Sequence, residues 1–199
     1  RLRTGANTRL AFGLKAGSSM YRADLASLTT VEVDPANQNN TSAFLPNVGF
    51  GMFWHSDRYY VGLSAPKLLT NEINSVDDVL TTAREARHYF LLGGYVFDLN
   101  NDMKCKPSFM LRAVEGAPLS LDLNLNFLLR ERIWFGAMHR LGNSFGITAQ
   151  YQVNEQLRAG YAFDLTTNRM GAQNAGTHEL MLGYDLRYNR GRAISPRYF

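Results

Sequence analysis

The chain has 199 residues, of which 45% are apolar and 12% aromatic, and its 21 basic and 17 acidic side chains give a formal net charge of +4. This apolar content excludes an intrinsically disordered chain, and no stretch approaches the roughly 18 consecutive apolar residues that a transmembrane helix needs. The single cysteine, Cys105, excludes an internal disulfide.

Alternation of apolar and polar residues, bounded by Gly, Asn, Asp and Pro clusters, predicts about ten β-strands and no long helix. In chain order the strands are predicted at residues 8–20, 44–55, 58–66, 85–99, 103–114, 118–130, 132–141, 144–153, 156–166 and 175–189. Most of these runs exceed the five or six residues that are usual in soluble proteins, and their length suits tilted strands that cross a membrane.

The clearest alternation lies at residues 118–130, PLSLDLNLNFLLR, where Leu or Phe occupies every odd position from Leu119 to Leu129. Successive side chains of a strand point to opposite faces, so one face is a leucine ridge and the other is mainly polar. Over a soluble core the ridge would be buried. In an outer-membrane barrel it would face lipid, with the polar row lining the lumen. The strand pattern alone fits both.

Two further features favour the membrane. Aromatic residues lie near strand ends, where an interfacial girdle belongs: Tyr59, Tyr60, Tyr89, Phe90, Phe97, Trp134, Phe135, Tyr151, Phe163 and Tyr188. Every second connection is short, whereas those at 21–43, 67–84 and 167–174 are long. Outer-membrane barrels have short periplasmic turns and longer outer loops, which predicts that both ends of this chain are periplasmic.

These patterns assign faces to most strands. Residues 87–99 are an exception, because both their odd and their even positions are mainly apolar. The side chains predicted to face lipid are Leu119, Leu121, Leu123, Leu125, Phe127, Tyr161, Phe163, Leu180, Leu182 and Leu186. The side chains predicted to line the lumen are Lys104, Lys106, Arg112, Asp122, Asn124, Asn126, Arg158, Asp164, Glu179, Asp185 and Arg187. The lumen row mixes both charge signs, which favours cross-strand ion pairs over a pore selective for one sign.

The sequence contains little that points to catalytic chemistry. The four histidines are scattered without the spacing of a metal site, and no phosphate-binding glycine loop occurs, so we expect no metal and no cofactor. A serine hydrolase with Ser108 or Ser120 beside a histidine on another strand is conceivable. We expect the protein not to be an enzyme.

The last ten residues form a basic tail. Residues 1–189 are predicted as the barrel domain and 190–199 as a periplasmic extension with Arg190, Arg192, Arg197, Tyr198 and Phe199. Its arginines suit either lipid phosphates or docking of a periplasmic partner. No basic helix or exposed aromatic platform points to nucleic acid.

Eight blocks in order resemble the PorP/SprF family of outer-membrane proteins, which belong to the type IX secretion and gliding machinery of Bacteroidetes. They are FGLKAG (12–17), LPNVGFGMFW (45–54), SDRYYVGLSAPKLL (56–69), RHYFLLGGYVFDLN (87–100), KPSFMLRAVEGAPLSLDLNLNFLL (106–129), LRAGYAFDLTT (157–167), GTHELMLGYDLR (176–187) and SPRYF (195–199). The resemblance implies an all-β, antiparallel transmembrane β-barrel with additional strands before residue 1.

The resemblance also implies a function. Such a barrel assists secretion or surface anchoring of cargo, notably adhesins with type B C-terminal domains. Its implied partners are outer-membrane lipid and lipopolysaccharide, cargo at the outer loops, and periplasmic or outer-membrane secretion components. The alternative function is a passive diffusion channel resembling a porin.

Overall fold

The structure, a computed structural model, describes residues 2–24, 41–71, 85–168, 171 and 175–186. These residues form one antiparallel 12-stranded sheet. Its strands are β1 (Leu2–Arg3), β2 (Arg9–Ala23), β3 (Thr41–His55), β4 (Tyr59–Lys67), β5 (His88–Tyr95), β6 (Phe97–Asn100), β7 (Met103–Val114), β8 (Ser120–Leu129), β9 (Ile133–Arg140), β10 (Ser144–Gln152), β11 (Leu157–Thr166) and β12 (Thr177–Tyr184). No helix in the described ranges has the length and hydropathy needed to cross a membrane.

The sheet is a meander in which each long strand pairs with the next one along the chain. Successive connections therefore lie at opposite ends of the sheet. The connections formed by residues 56–58, 101–102, 130–132 and 153–156 lie at one end, which we call the short-turn end. At the opposite end, which we call the long-loop end, lie the connections formed by residues 115–119 and 141–143; β2, β4 and β11 also end there, and β3, β5 and β12 begin there. The predicted antiparallel all-β class is confirmed, and the connections alternate between the two ends as the sequence indicated.

The ten predicted strands are all present, with two differences. Residues 2 and 3 form the additional short strand β1, which pairs with Leu10 and Arg9. The predicted strand at 85–99 is interrupted at Val96, although the register to β7 is the same on both sides, with Gly94 opposite Ser108 and Phe97 opposite Cys105. The gap falls opposite Lys106 and Pro107, and proline has no N–H to donate to a neighbouring strand.

The described part of the sheet has no core of the kind found in a soluble sandwich. Among the described residues the buried apolar side chains are Leu45, Ala65, Val96 and Leu128. Within these residues β2 and β12 are the outermost long strands, and no pairing between them is present. A packed interior therefore does not account for the large apolar side chains of the other positions.

Candidate functional site

One surface of the sheet is apolar on all ten long strands. Directly opposed residues of antiparallel strands share a face, so the register can be followed across the sheet. One such row runs from Val61 through Gly93, Phe109 and Leu123 to His139. We call this surface the apolar face; it comprises even positions 10–20, 44–54 and 178–184, and odd positions 59–65, 89–99, 103–113, 121–129, 133–139, 145–151 and 157–165.

The apolar face contains the exposed apolar side chains. Every large apolar side chain that is exposed in β2 to β12 belongs to it, with the exceptions of Tyr21 and Met181. Of the residues predicted to face lipid, Leu121, Leu123, Leu125, Phe127, Tyr161, Phe163, Leu180 and Leu182 lie on this face. Leu119 and Leu186 adjoin it, directly before β8 and shortly after β12.

An aromatic belt borders the apolar face at the short-turn end. Trp54 packs edge-on against Tyr59 with ring centroids 5.2 Å apart, and Phe127 stacks on Phe135 at 5.3 Å. Tyr95, Phe97, Tyr151 and Tyr184 extend the belt along neighbouring strands. The sequence placed Tyr60, Phe90 and Trp134 in this girdle wrongly, because the register puts them on the opposite face. Tyr188 lies outside the described residues.

The opposite surface, which we call the polar face, has a buried ion cluster near its long-loop end. Asp122 of β8 is 2% exposed. Its carboxylate accepts two hydrogen bonds from Arg140 of β9, Nε–Oδ1 at 2.8 Å and Nη2–Oδ2 at 3.0 Å. Nη2 of Arg112, on β7, is 3.5 Å from Oδ2. One carboxylate therefore holds two arginines from the strands on either side.

Three polar atoms on the same part of the polar face are buried without a hydrogen-bond partner in the described ranges. They are Nε of Arg112, Oγ of Ser144 and Oδ1 of Asp164. Ser144 is opposite Arg140 in the register, and Asp164 is opposite the next alternate residue of β10, Gly146. The ion cluster is thus continued by polar side chains that still have unused hydrogen-bond donors and acceptors.

Smaller interactions cover the rest of the polar face. Asp98 is 2.9 Å from Nη2 of Arg58 and 3.3 Å from Nζ of Lys104, at the short-turn end. The ammonium of Lys106 lies 5.3 Å from the ring centroid of Trp134. Asp98 thus pairs with two cations, and the Trp134 ring stabilises the ammonium of Lys106 without neutralising it.

The residues predicted to line a lumen share this polar face. Lys104, Lys106, Arg112, Asp122, Asn124, Asn126, Arg158, Asp164 and Glu179 are on it, and Asp185, directly after β12, contacts Arg158 at 3.9 Å. Arg187, Arg190, Arg192, Arg197, Tyr198 and Phe199 are outside the described residues.

A polar clamp closes the base of the connection between β4 and β5 at the long-loop end. The Glu85 carboxylate accepts hydrogen bonds from Lys67 and, at 3.1 Å, from the Nδ2 atoms of Asn47 and Asn71. Asn47 Oδ1 in turn accepts the N–H of Leu68 at 3.0 Å. The Lys67 hydrogen bond, aided by the asparagines, holds the pKa of Glu85 below its ordinary value despite partial burial. The clamp ties both ends of this connection to β3.

No catalytic grouping emerges in the described part of the chain. It holds no group of three or more His, Cys, Asp or Glu side chains that could bind a metal. Ser108 is opposite Gly94 and Asn124, and Ser120 is opposite Arg112, so neither faces a histidine across a strand pair. The expectation that the protein is not an enzyme stays a prediction.

Sequence reasoning missed several residues of these clusters. Arg140 is the last residue of β9, where alternation is weak because the apolar residues Trp134 and Met138 are at even positions, as Arg140 is. Asp98 lies in the segment 87–99, whose odd and even positions are both mainly apolar. The clamp residues Asn47, Lys67 and Glu85 are far apart in sequence, and only the register of β3, β4 and β5 brings them together.

Comparison with known proteins identifies one family. The family model described as type IX secretion system membrane protein PorP/SprF matches residues 1–184. No curated protein and no solved structure matches the chain.

Proposed function

Because this chain belongs to the PorP/SprF family of type IX secretion system membrane proteins, we propose that it is an outer-membrane β-barrel that assists secretion or surface anchoring of cargo. The observation that carries the membrane location is the apolar face. It runs across ten long strands, it is bordered by an aromatic belt, and few apolar side chains are buried elsewhere in the described residues. Lipid is the solvent that such a surface requires.

Closure of the sheet is part of the proposal. An open sheet edge in hydrocarbon leaves backbone N–H and C=O groups without partners, and this is not viable. Both outer long strands expose apolar side chains more than inner strands do: Leu14 on β2 and Leu180 on β12 are each 89% exposed, against 44% for Leu123 on β8. We propose that further strands, or β2 and β12 themselves, pair at these edges. A strand continuing upstream from β1 in its register would cover β2.

The orientation follows from the connections. Short turns face the periplasm and long loops face outward in outer-membrane barrels. The loops at residues 21–43 and 67–84 would then face outward and contact cargo. The clamp around Glu85 would hold the base of the second loop in place. Lipopolysaccharide would surround the outer half of the apolar face, and secretion components would meet the short-turn end and the tail at 190–199.

The alternative is a passive diffusion channel. The Asp122 cluster and the Lys106–Trp134 contact favour a structured interior over a ring of one charge sign at a constriction. Planar-bilayer recordings on the full-length protein separate the two functions. We expect no steady large-pore current, and such a current would support the channel instead.

Cargo assistance is tested in the native bacterium. Shortening the loops at 21–43 and 67–84 should reduce secretion and co-purification of proteins with type B C-terminal domains, while the barrel remains in the outer membrane. Removing residues 190–199 should release periplasmic partners but leave cargo bound at the outer loops. Unchanged secretion in a strain that lacks the protein would contradict the proposed function.

A further inference from the structure

Arg140 of β9 lies between two carboxylates of the polar face. Asp122 is opposite Arg140 on β8 and holds it in the two-point ion pair. On the other side, the carboxylate of Asp164 on β11 interacts across β10 with the charge of Arg140. Oδ1 of Asp164 is buried and has no hydrogen-bond partner in the described ranges. Arg140 therefore pairs with one carboxylate and leaves a second one beside it incompletely paired.

The strand between Arg140 and Asp164 leaves room for the two groups to meet. Gly146 of β10 is opposite Asp164, and a Cβ added to it would be 3.9 Å from Oδ1 of Asp164. The same Cβ would be 3.4 Å from Cε of Met138, the flexible end of a thioether side chain that can move aside. Ser144, which is opposite Arg140, has a buried Oγ without a partner in the described ranges. A guanidinium that moved from β8 towards β11 would therefore meet a hydroxyl and a carboxylate.

Arg112 of β7 is placed to take over the Asp122 carboxylate. Its Nη2 is 3.5 Å from Oδ2 of Asp122, and its Nε is buried without a partner among the described residues. Nε and Nη2 are the two donors that Arg140 uses in its own two-point pair. A carboxylate presents one edge with both oxygens, so the two arginines compete for this geometry.

An exchange of partners would give hydrogen bonds to the three unpaired atoms of this part of the polar face. Arg140 would bind Asp164 and Ser144, and the two donors of Arg112 would bind Asp122. Arg112 Nε, Ser144 Oγ and Asp164 Oδ1, which in the present arrangement are buried without partners, would each gain one. A buried polar atom without a partner is costly, so the two arrangements are close in free energy even though the structure shows one of them.

We propose that the ion cluster is a two-state switch in which Arg140 exchanges Asp122 for Asp164 while Arg112 takes over Asp122. In the state that the structure shows, Arg140 links β8 to β9. In the exchanged state it links β9 to β11, and Asp122 links β8 to β7. The connections between β7 and β8 and between β9 and β10 adjoin the cluster at the long-loop end. A ligand that binds there with different affinity for the two states would shift the equilibrium between them.

The test is solid-state NMR of the full-length protein in lipid vesicles, with isotope labels in arginine side-chain nitrogens and aspartate carboxyl carbons. Arg112→Lys and Arg140→Lys identify the signals of the two arginines by their loss. In Asp164→Asn the exchanged state is blocked, so transfer between Arg112 Nε and the Asp122 carboxyl should fall about threefold from its wild-type value. Glu179→Gln removes a polar-face carboxylate of β12 outside the cluster and should leave this transfer unchanged.

Asp122→Asn provides the opposite bias. Arg140 then loses its present partner, and transfer between its guanidinium and the Asp164 carboxyl should rise about threefold. A fixed cluster makes the Arg112 signal independent of Asp164. Equal Arg112–Asp122 transfer in the wild-type protein, Asp164→Asn and Glu179→Gln would therefore overturn the switch, and so would an equal fall in both variants. If Asp122→Asn does not fold, the comparison of Asp164→Asn with Glu179→Gln decides alone.

Discussion

Asp122 and Arg140 form a two-point ion pair between neighbouring strands, with Nε–Oδ1 at 2.8 Å and Nη2–Oδ2 at 3.0 Å. The carboxylate is 2% exposed, whereas the Arg140 side chain is 30% exposed. The fork geometry of arginine makes such a pair directional as well as strong. It therefore fixes β9 against β8 at the long-loop end, where Arg112 approaches the same carboxylate from β7.

Replacing Asp122 by Asn should destabilise the fold strongly, because Arg140 and Arg112 would be left without their shared carboxylate. We expect a loss of about 2 to 4 kcal/mol in the free energy of unfolding, measured by urea titration in lipid vesicles. Asp98→Asn is the matched control, since Asp98 also contacts two cations but is 41% exposed. It should cost less than about 1 kcal/mol. Equal losses for the two variants would refute a buried anchor at Asp122.

The clamp around Glu85 should weaken in acid. The pKa of Glu85 is lowered in the folded protein, chiefly by its hydrogen bond from Lys67, so its stabilising effect is fully present above the ordinary value of 4.5. The effect is lost as pH falls through the lower folded pKa. The amides of Leu68 and Leu69 both donate to Oδ1 of Asn47, at 3.0 and 3.3 Å. We expect exchange of these two amides, corrected for the intrinsic rate, to increase as pH falls below about 4.5.

In Glu85→Gln this acid dependence should disappear, because the side chain no longer titrates. Glu115→Gln, which alters an exposed glutamate in another connection at the long-loop end, should keep the wild-type dependence. An unchanged profile in Glu85→Gln would show that another group controls the clamp.

Gly136 should not tolerate a side chain. A Cβ there would clash with Oδ1 of Asn126 and would lie 2.8 Å from the backbone oxygen of Leu125, and the backbone cannot give way as a flexible side chain can. Gly136→Ala should lower the free energy of unfolding by about 1 to 3 kcal/mol. Gly17→Ala, with nothing within 4 Å of the added carbon, should change it by less than about 0.5 kcal/mol. A comparable loss in both variants would point to a general strand effect instead.

Much of the sheet was predictable because one physical rule, two-residue alternation, operates locally in each strand. The segment from Leu121 to Leu129 shows this, since its leucines and Phe127 share one face in the register as the sequence indicated. The residues 87–99 resisted assignment because both parities are apolar. The register now places Leu91 and Tyr95 on the apolar face, and Phe90 and Leu92 on the polar face.

The clusters were less predictable because they depend on pairing between strands. Asp122 was assigned to the polar row, but its partner Arg140 is identified only when β8 and β9 are aligned. The same holds for Glu85 and Asn47, which are 38 residues apart. Alternation within one strand predicts which face a side chain occupies. It does not predict which residue of the neighbouring strand that side chain contacts.

Contact between the apolar face and lipid can be tested by a cysteine scan of residues 120–129 in a Cys105→Ser background. Spin labels at each position in vesicles should collide readily with dissolved oxygen at Leu121, Leu123, Leu125 and Phe127. At Ser120, Asn124 and Asn126 they should show little oxygen access. Frequent collision of labels at the leucine positions with a water-soluble nickel reagent would show that this face meets water instead of lipid. Shielding of both the odd and the even positions from oxygen would likewise rule out lipid contact.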